Sequence, residues 1–426
     1  MTNVIKKITT FILLYLILTI TFTLLMYISY KLPNDSIRGH VEESIEQISK
    51  EGIGYIPFFN QTGALMDTHT DALMLNIALN KGMNEEQGTL AKAVENSFYE
   101  EDSMVKALDD SVHSEDFNNH EYSRYWHGIQ VLLRPLLIFF NYSEIRYLIM
   151  ILTVILLGIV FHLIGKHLGL RYAIAFALTI SFMYVNIIPM SLQYSCMFIV
   201  TLMAIIGVFL IYIMKKEKYI SLFFFMIGAL STFFDLLTYP LVTLGLPLVV
   251  ALLFENKKET KMLNLIIKTV QWGILWALGY GALFFTKWII ASIVLNKNAI
   301  SIALDNILFR VNGNEQYPVT RIEVLKNNFN CFFVPIAKYI MAAITVAWIG
   351  LFIFFRKKTS EFKAVLPLFC IAIVPYLWYI VFAGHSSIHT WFTNRIQAVT
   401  AFAVLTAMCL TIKNELKIND KNKERK

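Results

Sequence analysis

Residues capable of chemistry gather at four places in this chain. The first is Met66-Asp-Thr-His-Thr-Asp71, which leads into the apolar run ALMLNIALN. Asp67 and Asp71 stand four apart with His69 between them. Converging on one site, one carboxylate can take a proton from a substrate hydroxyl while the other positions that hydroxyl or a divalent metal such as Mg or Mn. The same residues also read as a helix start, with Thr70 as the cap and Asp71 in the first turn.

The second place is the string Tyr122, Arg124, Tyr125, Trp126, His127, with Arg134 just beyond and Pro135 after it. Sugars stack on aromatic faces and arginine holds phosphate, so the string fits a sugar-phosphate pocket. It equally fits an interfacial aromatic belt with an arginine that snorkels to headgroups. Arg134 interrupts an apolar stretch, where a cation is costly unless paired or facing a polar cavity.

Asp235, in STFFDLLTYP, and Lys287, in GALFFTKWIIASIV, form the third place. Ionisable groups within apolar sequence mark sites or pair with each other, and a lysine near the outer leaflet is suitably placed for a lipid-linked phosphate. The fourth is the segment from Gly384 to Arg395, with His385, His389, Trp391 and Arg395. Two histidines four apart share a helical face, as in a metal pair, but no HExxH pattern accompanies them. With Arg395 they suit anion binding, and a solvated turn with an interfacial tryptophan is the alternative.

The elements that hold these residues are membrane spans. The 426 residues are 57% hydrophobic and 16% charged, with mean hydropathy +0.58. A soluble protein of this size needs more polar surface. Apolar runs of about 20 residues recur without strand-like alternation, so the expected class is an all-α, polytopic transmembrane bundle. The runs fall at 8–30, 145–165, 171–190, 194–214, 219–235, 238–254, 269–294, 334–355, 364–383 and 393–412. Alternating these ten places Lys6, Lys7 and every short basic loop on one side, through Lys166, Lys215, Lys257 and Arg356 to the tail at 413–426. Both termini are therefore expected in the cytoplasm. The first run lacks a small-x-small cleavage site and reads as an uncleaved anchor.

Residues 31–143 hold 18 of the 30 acidic residues and no full span. They are expected outside the cytoplasm, ending in a juxtamembrane helix. A second outer loop, 295–333, carries Asp305, Arg310, Arg321 and Glu323. The net charge of +7 comes from the short basic loops, which argues against nucleic acid as a partner. Cys196, Cys331, Cys370 and Cys409 lack metal-ligand spacing and read as unpaired small residues. No Walker or Rossmann glycine pattern is present.

One cytoplasmic N-terminus, one span, a large acidic outer loop with juxtamembrane helices and then many spans: this layout resembles the GT-C superfamily of membrane glycosyltransferases. The resemblance covers the topology of the whole chain. It implies transfer of a sugar from a polyprenyl-phosphate donor to an extracytoplasmic acceptor, such as a cell-wall or surface glycopolymer, at the outer face of a bacterial plasma membrane. Asp67 or Asp71 looks like the counterpart of the family's loop base, and Asp35 lies nearer the first span. Lys287, Arg395, Arg124 and Arg134 are similar in placement to residues that hold the carrier phosphate. The rival expectations are a flippase for lipid-linked sugars and a non-catalytic polysaccharide-assembly subunit.

Overall fold

The computed structural model describes residues 2–413, apart from 53, 58–60, 84–85, 115–117 and 260. The basic tail after Lys413 lies outside them. Among the described residues the chain forms nineteen α-helices, short 3₁₀ segments and one antiparallel two-stranded ribbon.

Helix α1 (Thr2–Tyr30) precedes a small domain of α2 (Asp35–Glu51), α3 (Thr68–Ala78), α4 (Thr89–Glu95), α5 (Met104–His113) and α6 (Gln130–Leu136). Strands β1 (Phe98–Tyr99) and β2 (Asn119–His120) pair within it. There follow α7 (Tyr142–His167), α8 (Leu170–Phe182), α9 (Leu192–Ile213), α10 (Ile220–Phe234), α11 (Leu241–Lys258), α12 (Met262–Val294) and α13 (Ala299–Asn312). The chain closes with α14 (Arg321–Phe332), α15 (Pro335–Phe355), α16 (Val365–Val381), α17 (Ala383–Ile388), α18 (Thr390–Thr393) and α19 (Ala398–Thr411).

This is a multi-pass α-helical membrane protein. Among the described residues seven helices are long and apolar enough to cross a bilayer: α1, α7, α9, α10 with the residues just before it, α12, α15 and α16. Three of the ten expected spans take a different form. α8 stops at Phe182, and the chain continues through a turn and a 3₁₀ segment, Ile188–Met190. α19 has 14 residues, and α11 ends in Glu255, Lys257 and Lys258. α11 and α19 are buried along most of their length and pack on each other. Helices wrapped by protein need not match the hydrocarbon thickness. The long outer helices instead present apolar side chains on the surface, such as Ile17 and Ile20 of α1 and Val346 and Phe354 of α15.

Helix α10 lies along α12 at backbone contact. A Cβ on Gly228 would stand 2.0 Å from Trp276 O, and one on Gly279 would stand 2.1 Å from Phe225 O. Paired glycines let two membrane helices approach this closely and gain dispersion contacts that larger side chains would prevent.

The basic loops meet at one end of the bundle. Arg171 Nη1 donates to Ile412 O (3.1 Å), Lys257 Nζ donates to His167 O (2.9 Å), and Lys363 Nζ donates to Glu259 O. The 35–136 helices sit at the opposite end, where α7 and α9 begin. Their core follows from sequence period. In α2, Ile37, Val41, Ser44 and Ile48 recur at helical spacing and are buried against α5 and α7. At its end Glu51 makes a buried ion pair with Arg146 of α7 at 2.7 Å. Within 129–140, where a juxtamembrane helix is expected, the chain forms the short α6.

Candidate active site

The two aspartates of the first loop have different fates. Thr70 was the expected cap of α3, but the cap is Asp67: its Oδ1 accepts from Thr70 N at 3.1 Å, and the helix opens at Thr68. Asp67 is 4% exposed and, among the described residues, its Oδ2 has no hydrogen-bond partner. Burial raises the carboxyl above the usual aspartate range, opposed by Thr70 and by His69 and Trp391 nearby.

Asp71 lies one turn on, and every hydrogen bond it makes is structural. Oδ2 accepts from Tyr142 Oη (2.7 Å) and Leu192 N (3.0 Å), and Oδ1 from Ser191 Oγ (3.0 Å) and Gln193 N (3.3 Å). Its carboxylate closes the N-terminus of the 22-residue α9, where unpaired N–H groups and the helix dipole favour an anion. Burial still pushes this carboxyl up to about 7. With its oxygens so engaged, Asp71 fastens the loop domain to the bundle, and Asp67 is the aspartate left with a free oxygen. Asp35 is exposed at the start of α2 and takes no part.

Across from Asp67 lies the segment 383–397, which breaks into the short helices α17 and α18 and a 3₁₀ turn before α19. Trp391 Nε1 is buried without a partner and faces the Asp67 carboxylate outside hydrogen-bond geometry. Its ring meets His389 edge to face at 5.1 Å. Arg395 is fully buried. Nη1 donates to Trp391 O (2.7 Å) and Nη2 to Gly63 O (3.0 Å), while the guanidinium lies over the Tyr194 ring at 4.1 Å. Its Nε is left without a partner, as is the buried Tyr184 hydroxyl close by. One unpartnered donor, Trp391 Nε1, thus faces the unpartnered Asp67 oxygen, and Arg395 Nε and the Tyr184 hydroxyl form a second unpartnered group beside each other.

His385 and His389 come together, with ring centroids 4.8 Å apart, but they hold a guanidinium. Arg310 of α13 donates from Nη1 to His385 Nδ1 (2.9 Å) and to His389 Nε2 (3.0 Å). Both imidazoles therefore accept and are neutral. Burial and the neighbouring arginine take His389 down to about 3 and His385 well below its ordinary value. The free Nδ1 of His389 points away from Arg310 and has no partner.

Arg310 also lines a pocket of about 250 Å³ between α12 and α13. Its walls include Leu237, Tyr280, Phe284, Trp288 and Ile307, and its polar groups include Arg124, Arg310 and Asn306. Arg124 stacks on Tyr122 (4.2 Å) and Tyr125 (5.5 Å), and Tyr125 lines the same pocket. Among the described residues neither arginine has an ion-pair partner (Lys297–Glu121 is the pair nearest in sequence to Arg124). An apolar cavity with two uncompensated guanidinium groups suits a phosphate ester of an apolar alcohol. Arg310 did not stand out in the sequence. Its one signal was a single basic residue near the end of the half-apolar stretch SIALDNILFRVN.

Five residues expected at a binding site are engaged in structural contacts instead. Lys287 donates to Val94 O and lies 5.7 Å from the Trp126 ring, directed at the loop domain and away from the pocket. Arg134 is fully buried and holds the ends of α1 and α3, donating to Ser29 O (3.0 Å), Leu32 O (2.6 Å), Ala78 O and Asn34 Oδ1 (3.2 Å). Trp126 donates to Leu283 O at 2.9 Å and packs on Phe22 and Phe233. Asp235 accepts from Thr238 N (2.7 Å) and Tyr280 Oη (3.1 Å), so the Asp235–Lys287 pair does not form. His127, at φ +55°, is buried against Tyr122 and its pKa falls to about 3 through desolvation and Lys287.

Among the described residues no three His, Cys, Asp or Glu side chains lie close enough to hold a metal ion. The two histidines are turned to Arg310, and Asp67 is the one free carboxylate of the cluster, so the residues present do not fit a divalent cation. The four cysteines are unpaired. No protein-family model, curated protein or solved structure matches the chain.

Proposed function

We propose that this protein is a membrane glycosyltransferase of GT-C type, moving a sugar from a polyprenyl-phosphate donor to a hydroxyl of an extracytoplasmic glycan. In this reading the chain crosses a bacterial plasma membrane ten times, with both termini and the basic end in the cytoplasm. The interrupted α8 and the buried α11 and α19 are the three inner crossings. The loop domain and the pocket then face outward, so the donor arrives through the bilayer.

The observation that carries the reading is the pairing of two features at one end of the bundle. One is a buried carboxylate oxygen with no partner, on Asp67. The other is an apolar pocket with two uncompensated arginines, joined to Asp67 through Trp391 and His389. The acceptor hydroxyl gives its proton to Asp67 Oδ2 as its oxygen bonds to the anomeric carbon. The bond from that carbon to the phosphate oxygen breaks, and the electron pair leaves with the prenyl phosphate. Arg124 and Arg310 meet the charge that develops there. Burial raises the basicity of Asp67, which suits it to accept a proton. The cavity of about 250 Å³ is below the roughly 300–1,000 Å³ of most ligand sites, so it takes the phosphate end while the chain runs along the lipid-facing surface.

Mass spectrometry of surface glycopolymers from cells with and without the gene tests the proposal. Loss of one sugar substituent supports it. An unchanged glycan with accumulation of a lipid-linked sugar inside the membrane would favour a flippase instead.

A further inference from the structure

Arg310 is held in an unusual way. Arg310 is half-buried, and an arginine so placed is commonly fixed by a carboxylate, which also neutralises its charge. Here one guanidinium nitrogen, Nη1, is shared by two neutral ring nitrogens, His385 Nδ1 at 2.9 Å and His389 Nε2 at 3.0 Å. Arginine has no acceptor, so its donation settles both tautomers. His385 carries its proton on Nε2, which donates to Leu237 O at 2.7 Å. His389 carries its proton on Nδ1. Among the described residues no hydrogen bond engages Arg310 Nε or Nη2, and the side chain lines the pocket shared with Arg124.

The backbone is built for this contact. A Cβ on Gly384 would fall 2.5 Å from Phe309 O, 2.7 Å from Gly313 N and 3.0 Å from Arg310 O. Only glycine lets α17 lie against the end of α13, and that approach sets His385 beside Arg310. His389 follows one turn on, at the spacing that brings both imidazoles to the same nitrogen.

Resting on the donor-pocket reading above, we propose that His385 and His389 are positioning residues. They form a neutral clamp that aims the uncompensated Arg310 charge at the phosphate of a prenyl phosphate ester. Two neutral acceptors orient the guanidinium without cancelling its charge, so the full charge remains for the ligand. An acid at either position would orient it equally well and abolish that charge.

Full-length protein in nanodiscs and two probes test the clamp: geranylgeranyl phosphate and geranylgeraniol, which share the chain and differ in the anion. Wild type is expected to prefer the phosphate. His385→Leu and His389→Leu should each lower phosphate affinity about tenfold, the loss of one charge-assisted hydrogen bond, and leave alcohol affinity unchanged. His385→Gln and His389→Gln keep an acceptor and should restore the preference. His389→Glu should lose it while still binding the alcohol. Equal loss of both probes in the leucine variants marks a merely structural role and overturns the clamp, as does wild-type preference in those variants. A wild-type protein without any preference for the phosphate overturns the donor pocket itself.

Discussion

On the proposed reading, Asp67→Asn should separate catalysis from folding at a single position. Asparagine caps a helix as well as aspartate does, so the 3.1 Å bond from Thr70 N is retained and the cap changes by a few tenths of a kcal/mol. The other oxygen has no hydrogen bond to lose. Removing a general base lowers the rate by about 10²- to 10⁴-fold, or roughly 3–5 kcal/mol in the barrier. Stability moves the other way. Burial raises the folded carboxyl above its ordinary 3.8, so the folded state binds the proton more tightly than the unfolded chain. The stability associated with that proton is present at low pH and is lost as pH rises through the raised pKa. A neutral amide avoids that loss, so the Tm at pH 7.5 should equal or exceed that of wild type. The assay is sugar incorporation into surface glycopolymers by mass spectrometry in cells carrying either form, with Tm measured on the purified protein. Wild-type activity should in turn fall as pH drops through the raised Asp67 value, where the base takes up its proton. A stable Asp67→Asn protein that transfers sugar within about threefold of wild type would refute the assignment.

Three other substitutions divide structural from functional residues. Asp71→Ala leaves Ser191, Leu192 and Gln193 without their acceptor at the start of α9, which should destabilise by about 3–5 kcal/mol and be seen as loss of monodisperse protein in size-exclusion chromatography. Lys287→Met removes a charge that donates to Val94 O, so sugar transfer should stay within a few-fold of wild type. A hundredfold loss with an unchanged Tm would return Lys287 to the site. Gly279→Ala puts a methyl group 2.1 Å from Phe225 O and forces α10 from α12. Overpacking of about 1–3 kcal/mol should appear as a lower Tm, and an unchanged Tm would mean the helices are less tightly apposed.

The class of this protein was written in its composition. Spans of about 20 apolar residues declare themselves because a helix in hydrocarbon must satisfy its backbone internally and clothe itself in apolar side chains. The acidic stretch after the first span, its separation from the basic loops and the amphipathic period of α2 were equally legible, since each depends on neighbours in sequence. Tertiary structure decided which of the marked residues is available for chemistry. Asp67 and Asp71 look alike at a spacing of four, yet α9 begins beside one and takes up its oxygens, while the other keeps one free. Lys287 and Arg134 read as ligand-binding cations until their hydrogen bonds end on carbonyls of distant segments. Arg310 was legible only as one of several charges in the stretch 295–333; it lies on α13, 75 residues before His385, and became central only because Gly384 lets two backbones touch. A side chain's availability depends on which long-range partners reach it first, and sequence spacing carries no record of those encounters.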